Sequence, residues 1–141
     1  LLFLLKKNEK ELHIWNTTSI RDWGSGFEYM KEVLNLAKSK KHGSGELGTS
    51  IPYSVAEFIN ISLKVLNIKY KIVKKTNSRV FWQLEDGRMI IEKERDIADQ
   101  KRVIIANKKI VKKTFGRNNF IHGKELVKAL INEFSKYERN I

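Results

Sequence analysis

A chain of 141 residues with 41% hydrophobic side chains is long enough for one domain with a buried core, which argues against disorder. It has no cysteine, which excludes disulfides, thiol nucleophiles and cysteine-ligated zinc, and its histidines (His13, His42, His122) are too scattered to pair at metal-ligand spacing. Lys and Arg number 28 against 16 Asp and Glu, a net charge of +12, and residues 51–141 carry 20 basic and 10 acidic side chains of that total. A field of that sign attracts nucleic acid or an anionic membrane leaflet.

No apolar run approaches the roughly 20 residues needed to span a bilayer. Leu1 to Leu5 is apolar but too short for a signal core, and the absence of an initiator Met suggests a fragment of a longer protein. Residues 11–18 alternate as a short strand. Ser25 to Lys41 is expected to be helical, with Ser25 and Glu28 at capping-box spacing and Phe27, Met30, Val33, Leu34 and Ala37 as an apolar stripe. Gly43 to Ser50 has the composition of a flexible hinge. Its Gly-Ser, Glu-Leu and Gly-Thr pairs are also what three cloning sites encode in frame, so an engineered join stands beside an ordinary Gly-rich loop.

After Pro52 a helix is expected over about Ser54 to Leu66, with Val55, Phe58, Ile59, Leu63 and Leu66 on one face. Lys69 to Lys75, Arg79 to Glu85 and Arg88 to Glu94 read as three strands, the last two joined by the hairpin signal Asp86-Gly87. Val103 to Ala106 and Ile110 to Phe115 read as one or two more. Lys124 to Tyr137 closes the chain as an amphipathic helix, with Leu126, Val127, Leu130, Ile131 and Phe134 inward. The expected fold is α+β: an antiparallel sheet of four or five strands, two main helices on one face, and an extra N-terminal helix. The expected organisation is an N-terminal strand and helix at 1–42, a flexible linker at 43–50 and a basic core domain at 51–141.

The residues do not favour catalysis. Asp86 with Asp99, Gln100 and Lys101 loosely matches the carboxylate–carboxylate–lysine set of metal-dependent nucleases, but a sheet edge of mixed charge produces the same spacing. No serine or histidine sits in a nucleophile motif, Gly24-Ser-Gly26 and Gly43-Ser-Gly45 lack the lysine of a phosphate loop, and His122 is most simply a loop residue. The expectation is a non-enzyme with no cofactor, no metal and no catalytic residue.

The basic runs are the stronger signal. Between Glu57 and Glu85 there is no acid while Lys64, Lys69, Lys71, Lys74, Lys75 and Arg79 intervene. From Lys101 to Lys124 there is again none, while Lys108, Lys109, Lys112, Lys113 and Arg117 accumulate. Each Lys or Arg near an anionic bilayer contributes about 1 kcal/mol; on nucleic acid the same side chains pair with phosphates. Stacking on bases needs exposed aromatics on the basic face, and only Phe81 is a candidate there, which favours the membrane.

Pro52-Tyr53, Leu63 to Val73, and Arg79-Val80 resemble the first helix and following strands of kinase-associated domain 1 and of the related C-terminal domain of AMP-activated kinase α subunits. Ile110 to Gly116 and Leu126 to Phe134 are similar to the last strand, loop and closing helix of that fold. The resemblance implies a regulatory module at the C-terminus of a protein kinase. Such a module is cytoplasmic and peripheral at the inner face of the plasma membrane, binds anionic phospholipids and has a kinase catalytic domain in cis as a further partner. The family's basic pair maps to Lys112-Lys113, and together with the basic runs this gives an expected lipid-phosphate site of Lys64, Lys71, Lys74, Lys109, Lys112, Lys113 and Arg117. A helix ending Leu63 to Ile68 before a Lys-rich strand pair is also similar to half of a LAGLIDADG homing endonuclease, which would make the partner nucleic acid.

Overall fold

The computed structural model describes residues 9–39, 44–74, 80–93 and 103–138. Its elements are β1 (Glu11–Trp15), β2 (Ile20–Asp22), α1 (Gly26–Lys38), β3 (Pro52–Ser54), α2 (Val55–Val65), β4 (Tyr70–Lys74), β5 (Val80–Leu84), β6 (Met89–Lys93), α3 (Lys108–Phe115) and α4 (Gly123–Glu138). The class is α+β, with a four-stranded sheet in the order β1-β6-β5-β4 and a separate pair, β2-β3.

Strands β4, β5 and β6 form an antiparallel meander, as their alternation implies. Asp86 and Gly87 turn the second hairpin, with Gly87 at φ 85°, a conformation that suits glycine. The sheet as a whole is mixed rather than purely antiparallel, because β1 joins β6 in parallel, with Leu12 opposite Ile90 and Ile14 opposite Glu92.

Helix α2 begins at a complete capping box. The Ser54 side chain accepts from the Glu57 amide while the Glu57 carboxylate accepts from the Ser54 amide, holding the Glu57 carboxyl below the usual carboxylate range. Its Ile59 and Leu63 pack on Leu12, Trp82, Leu84 and Ile90 of the sheet, and these six form the core. Trp82 is fully buried and its indole N–H donates to Asn60 Oδ1 at 2.7 Å, so the polar edge of the largest core side chain is satisfied. Helix α4 packs against α2, burying Leu126 and Val127.

Two expected strands are absent. Ile110 to Phe115 belongs to a helix, α3, in spite of its β-branched residues. Asn107 caps its start, accepting from the amides of Lys109 and Ile110, and Gly116 ends it at φ 73° with its amide bonded to the Lys112 carbonyl. Cap chemistry nine residues apart outweighs the modest strand preference of Ile110, Val111 and Thr114. Val103 to Ala106 contributes a single bridge, Ile104 parallel to Arg21, and no strand.

The orientation of α1 is also unexpected. Glu32 is its buried residue, whereas Phe27 (84% exposed), Met30 (58%), Val33 (42%) and Leu34 (55%) face outward. The stripe that marks the segment as a helix is not the face it turns to the rest of the described chain.

Candidate functional site

The residues expected to bind lipid phosphate divide among several elements. Lys64 is exposed in the last turn of α2 and Lys71 is exposed on β4. Lys74 ends β4, and its side chain lies outside the described residues, as do Lys75 and Arg79 entirely. Lys109, Lys112 and Lys113 are exposed together on α3 with Lys108. The Lys112-Lys113 pair therefore presents from a helix and not from the end of a last strand.

Arg117 departs most from expectation. Its guanidinium is held by Glu28 Oε1 at 3.0 Å and Glu32 Oε1 at 3.2 Å, and also donates to the Asn119 carbonyl at 3.0 Å. Its Cζ lies 4.7 Å from the centroid of Phe120, and Phe120 meets Tyr29 edge-on. Glu28 Oε2 accepts from the Ile121 amide at 2.7 Å. Glu28 is thus spent on the 117–121 loop rather than on a capping box, although Ser25 does cap α1 by accepting from the Glu28 amide. Together these contacts clamp the acidic side of α1 against the loop and turn its apolar side out.

Of the nuclease-like set only Asp86 is described, and it and two neighbouring acids are engaged elsewhere. Asp86 pairs with Arg88, which lowers its carboxyl pKa, Glu85 pairs with Lys69, and Glu92 accepts from the Thr17 amide at 2.7 Å. Asp99, Gln100 and Lys101 lie outside the described residues, among which no cluster of three metal-ligating side chains occurs. His122 is more than a loop residue, since its Nδ1 lies 2.9 Å from the Tyr53 hydroxyl.

The densest polar arrangement was not visible in the sequence. It centres on Asp22, at the end of β2. One carboxylate oxygen accepts from the Thr49 amide at 2.8 Å and from the Thr49 hydroxyl. The other accepts from the amides of Ser50 at 2.9 Å and Ala106 at 3.1 Å. The Asp22 amide in turn donates to the Ile104 carbonyl. A single side chain thereby ties β2 to the segments before β3 and before α3. Gly48 is required at this junction, because a Cβ there would stand 2.5 Å from both Ala106 Cβ and Asp22 Oδ2.

The expectation that Gly43 to Ser50 packs loosely fails for its second half, where Thr49 is 2% exposed and specifically bonded. Glu46 also accepts from the Asn107 amide at 2.5 Å, which helps fix the start of α3. Beside Asp22 opens a cleft of about 480 Å³, lined by Arg21, Asp22, Glu46 and Leu47 on one side and by residues 104–106 on the other. Arg21 is the basic side chain among its described lining residues.

Tyr29 is packed beside this junction. Burial, then the negative charge of Asp22, push its hydroxyl pKa up from 10.0 to about 12. An unfolded chain ionises this tyrosine first, so the stability it contributes is complete below pH 10 and is lost as pH rises through 12. The Tyr29→Phe variant is expected to lose less stability than the parent over that window. Urea midpoints at pH 9 and pH 11 check this.

No family model matches the chain. Among the described elements no helix is long and apolar enough to cross a membrane. The chain is similar to GDP-mannose 4,6-dehydratase of Vibrio cholerae, with 33% identity over 67 residues, which is 48% of this chain and 18% of the dehydratase. The matched stretch therefore spans less than a fifth of that relative's length.

Proposed function

We propose that this chain forms part of a nucleotide-sugar-modifying enzyme of the dehydratase kind and helps to hold the nucleoside diphosphate. The observation that carries the reading is the 33% identity over 67 residues with an enzyme named for a GDP-sugar. The net charge of +12 supports it, since a diphosphate is drawn to a basic surface. We assign the phosphate contact to Arg21, which lines the cleft beside Asp22. A guanidinium pairs with phosphate oxygens in a two-pronged geometry that lysine cannot copy. The Asp22 oxygens are occupied by backbone donors, and the Glu46 carboxylate is bonded to Asn107.

A second reading is binding to an anionic phospholipid surface, at the periphery of a membrane. It is favoured by exposed Val103 (54%), Ile104 (62%) and Ile105 (40%) directly before the four exposed lysines of α3. Apolar side chains that insert, flanked by cations that meet headgroups, are what an interfacial segment needs. The regulatory role beside a kinase catalytic domain rests on the family resemblance alone. Nucleic acid remains the third partner that the same lysines fit.

Backbone amide shifts on titration with GDP and with GDP-mannose, run beside vesicles containing phosphatidylserine, separate these readings. The expected result is saturable binding with shifts confined to Arg21, Leu47 and residues 104–106, weakened at least tenfold by Arg21→Ala with thermal stability retained. Absence of binding by GDP at millimolar concentration, with shifts on vesicles centred on residues 103–113, would replace the first reading by the second.

A further inference from the structure

Among the described residues that line the cleft beside β2, Asp22 and Glu46 carry carboxylates, and they differ in what they have left to offer. Asp22 accepts from the amides of Thr49, Ser50 and Ala106 and from the Thr49 hydroxyl, so both of its oxygens are filled. Glu46 accepts from the Asn107 amide through Oε2, and no other described donor reaches it. The stretch that carries Glu46 is also held in place. A Cβ on Gly45 would stand 2.5 Å from the Thr114 side chain, and one on Gly48 would stand 2.5 Å from Ala106 Cβ. Residues 45–48 thus lie close against the chain around α3 at both ends, with Glu46 and Leu47 between. An acceptor fixed in advance loses little freedom when a ligand arrives. The rest of the lining is mostly apolar, with Leu47 next to Glu46 and the exposed Ile104 and Ile105 on the other wall. The cleft's volume of about 480 Å³ falls in the range of roughly 300–1,000 Å³ that small-ligand sites occupy.

We infer that Glu46 reads the base of the nucleotide and selects guanine, with the ring held between Leu47 and the wall of Ile104 and Ile105. This rests on the proposal that Arg21 takes the phosphate. An ionised carboxylate only accepts hydrogen bonds. Guanine sets two donors side by side on one edge, N1–H and the 2-amino group, and can give both to one carboxylate. Uracil and thymine set a single N–H between two carbonyl oxygens. Adenine and cytosine set their amino group beside a ring-nitrogen acceptor. Each of these bases would bring an acceptor against the negative oxygens, and that repulsion is what discriminates. The bonds to guanine are charge-assisted, which places them among the strong ones.

Calorimetric titration of the whole chain with GDP, IDP, UDP and XDP tests this, on the parent, Glu46→Gln and Arg21→Ala proteins. The parent is expected to bind GDP at least about tenfold more tightly than UDP, and than IDP, whose base lacks the 2-amino group. Glu46→Gln keeps an acceptor oxygen for the Asn107 amide. Its side-chain amide donates where the carboxylate accepted. The variant should therefore lose about tenfold in GDP affinity and gain affinity for XDP, whose base carries an oxygen in place of the 2-amino group. A purely structural role of Glu46 produces no such exchange of preference. Should the variant melt early, the ranking of nucleotides on the parent still decides. Equal affinity for GDP and UDP, reduced by Arg21→Ala but not by Glu46→Gln, would overturn the inference and leave the phosphate assignment standing. Absence of binding by all four nucleotides at millimolar concentration would overturn both.

Discussion

Replacing Asp22 with Ala is expected to lower the free energy of unfolding by about 3–5 kcal/mol, which is a large part of the roughly 5–15 kcal/mol typical of a domain. The reason is the number of donors left behind. The amides of Thr49, Ser50 and Ala106 all point at this carboxylate. A hydrogen bond to a charged group contributes about 1.5–3 kcal/mol, and each orphaned buried donor costs about 1–3 kcal/mol. The Asn variant keeps one acceptor oxygen and should lose roughly half as much. Urea denaturation of parent, Asp22→Asn and Asp22→Ala should rank in that order. Equal stability of all three would show that the junction is held by the Gly48–Ala106 contact and not by the carboxylate.

The second large effect is expected at Arg117. Truncating it to Ala leaves Glu28 and Glu32 side by side, with side chains only 22% and 12% exposed and no counter-charge. Breaking a fully buried pair costs about 3–5 kcal/mol; with Arg117 itself 36% exposed, a loss of about 2–3 kcal/mol is expected. The added substitution Glu32→Gln should recover part of the loss, since it removes one of the two stranded charges. Lys113→Ala, on an exposed helix face, should change stability by less than about 0.5 kcal/mol. Chemical denaturation of the four proteins gives the comparison. A loss at Arg117 as small as that at Lys113 would place both in the same solvated patch, as the sequence alone suggests.

What was legible in the sequence were elements whose signal is local. The alternation of Tyr70, Ile72, Val80, Trp82, Leu84 and Ile90, with Asp86-Gly87 between two of the runs, suffices for the meander. The apolar faces of α2 and α4 are equally explicit, and the α+β class follows from them. β2 and β3 are three residues each and too short for any period to register. Residues 110–115 carry a local strand signal in Ile110, Val111 and Thr114, whereas Asn107 and Gly116 mark helix ends only as a pair.

The partners of the site residues are hidden by distance along the chain. Arg117 in a run of lysines has nothing nearby in sequence to show that its partners are 85 and 89 positions away. A lone Asp22 before Trp23-Gly24 carries no local sign of the amides it gathers from residues 49, 50 and 106. For α1, periodicity shows that one face is apolar but not which body covers it. That is decided by acids on the opposite side.

The parallel pairing of β1 with β6 has a kinetic consequence. Glu11 pairs with Met89, which lies 78 positions later (89 minus 11). The meander β4-β5-β6 and the adjoining α2 span neighbouring stretches and can form early, since closing a short loop has a low entropic cost. β1 has no edge to join until β6 is in place, and it must then close the longest loop in the sheet. On the ribosome it waits for most of the chain to be made. Leu12 and Ile14, two of the side chains that complete the core, are therefore expected to dock late, so substitutions there should accelerate unfolding more than they slow folding.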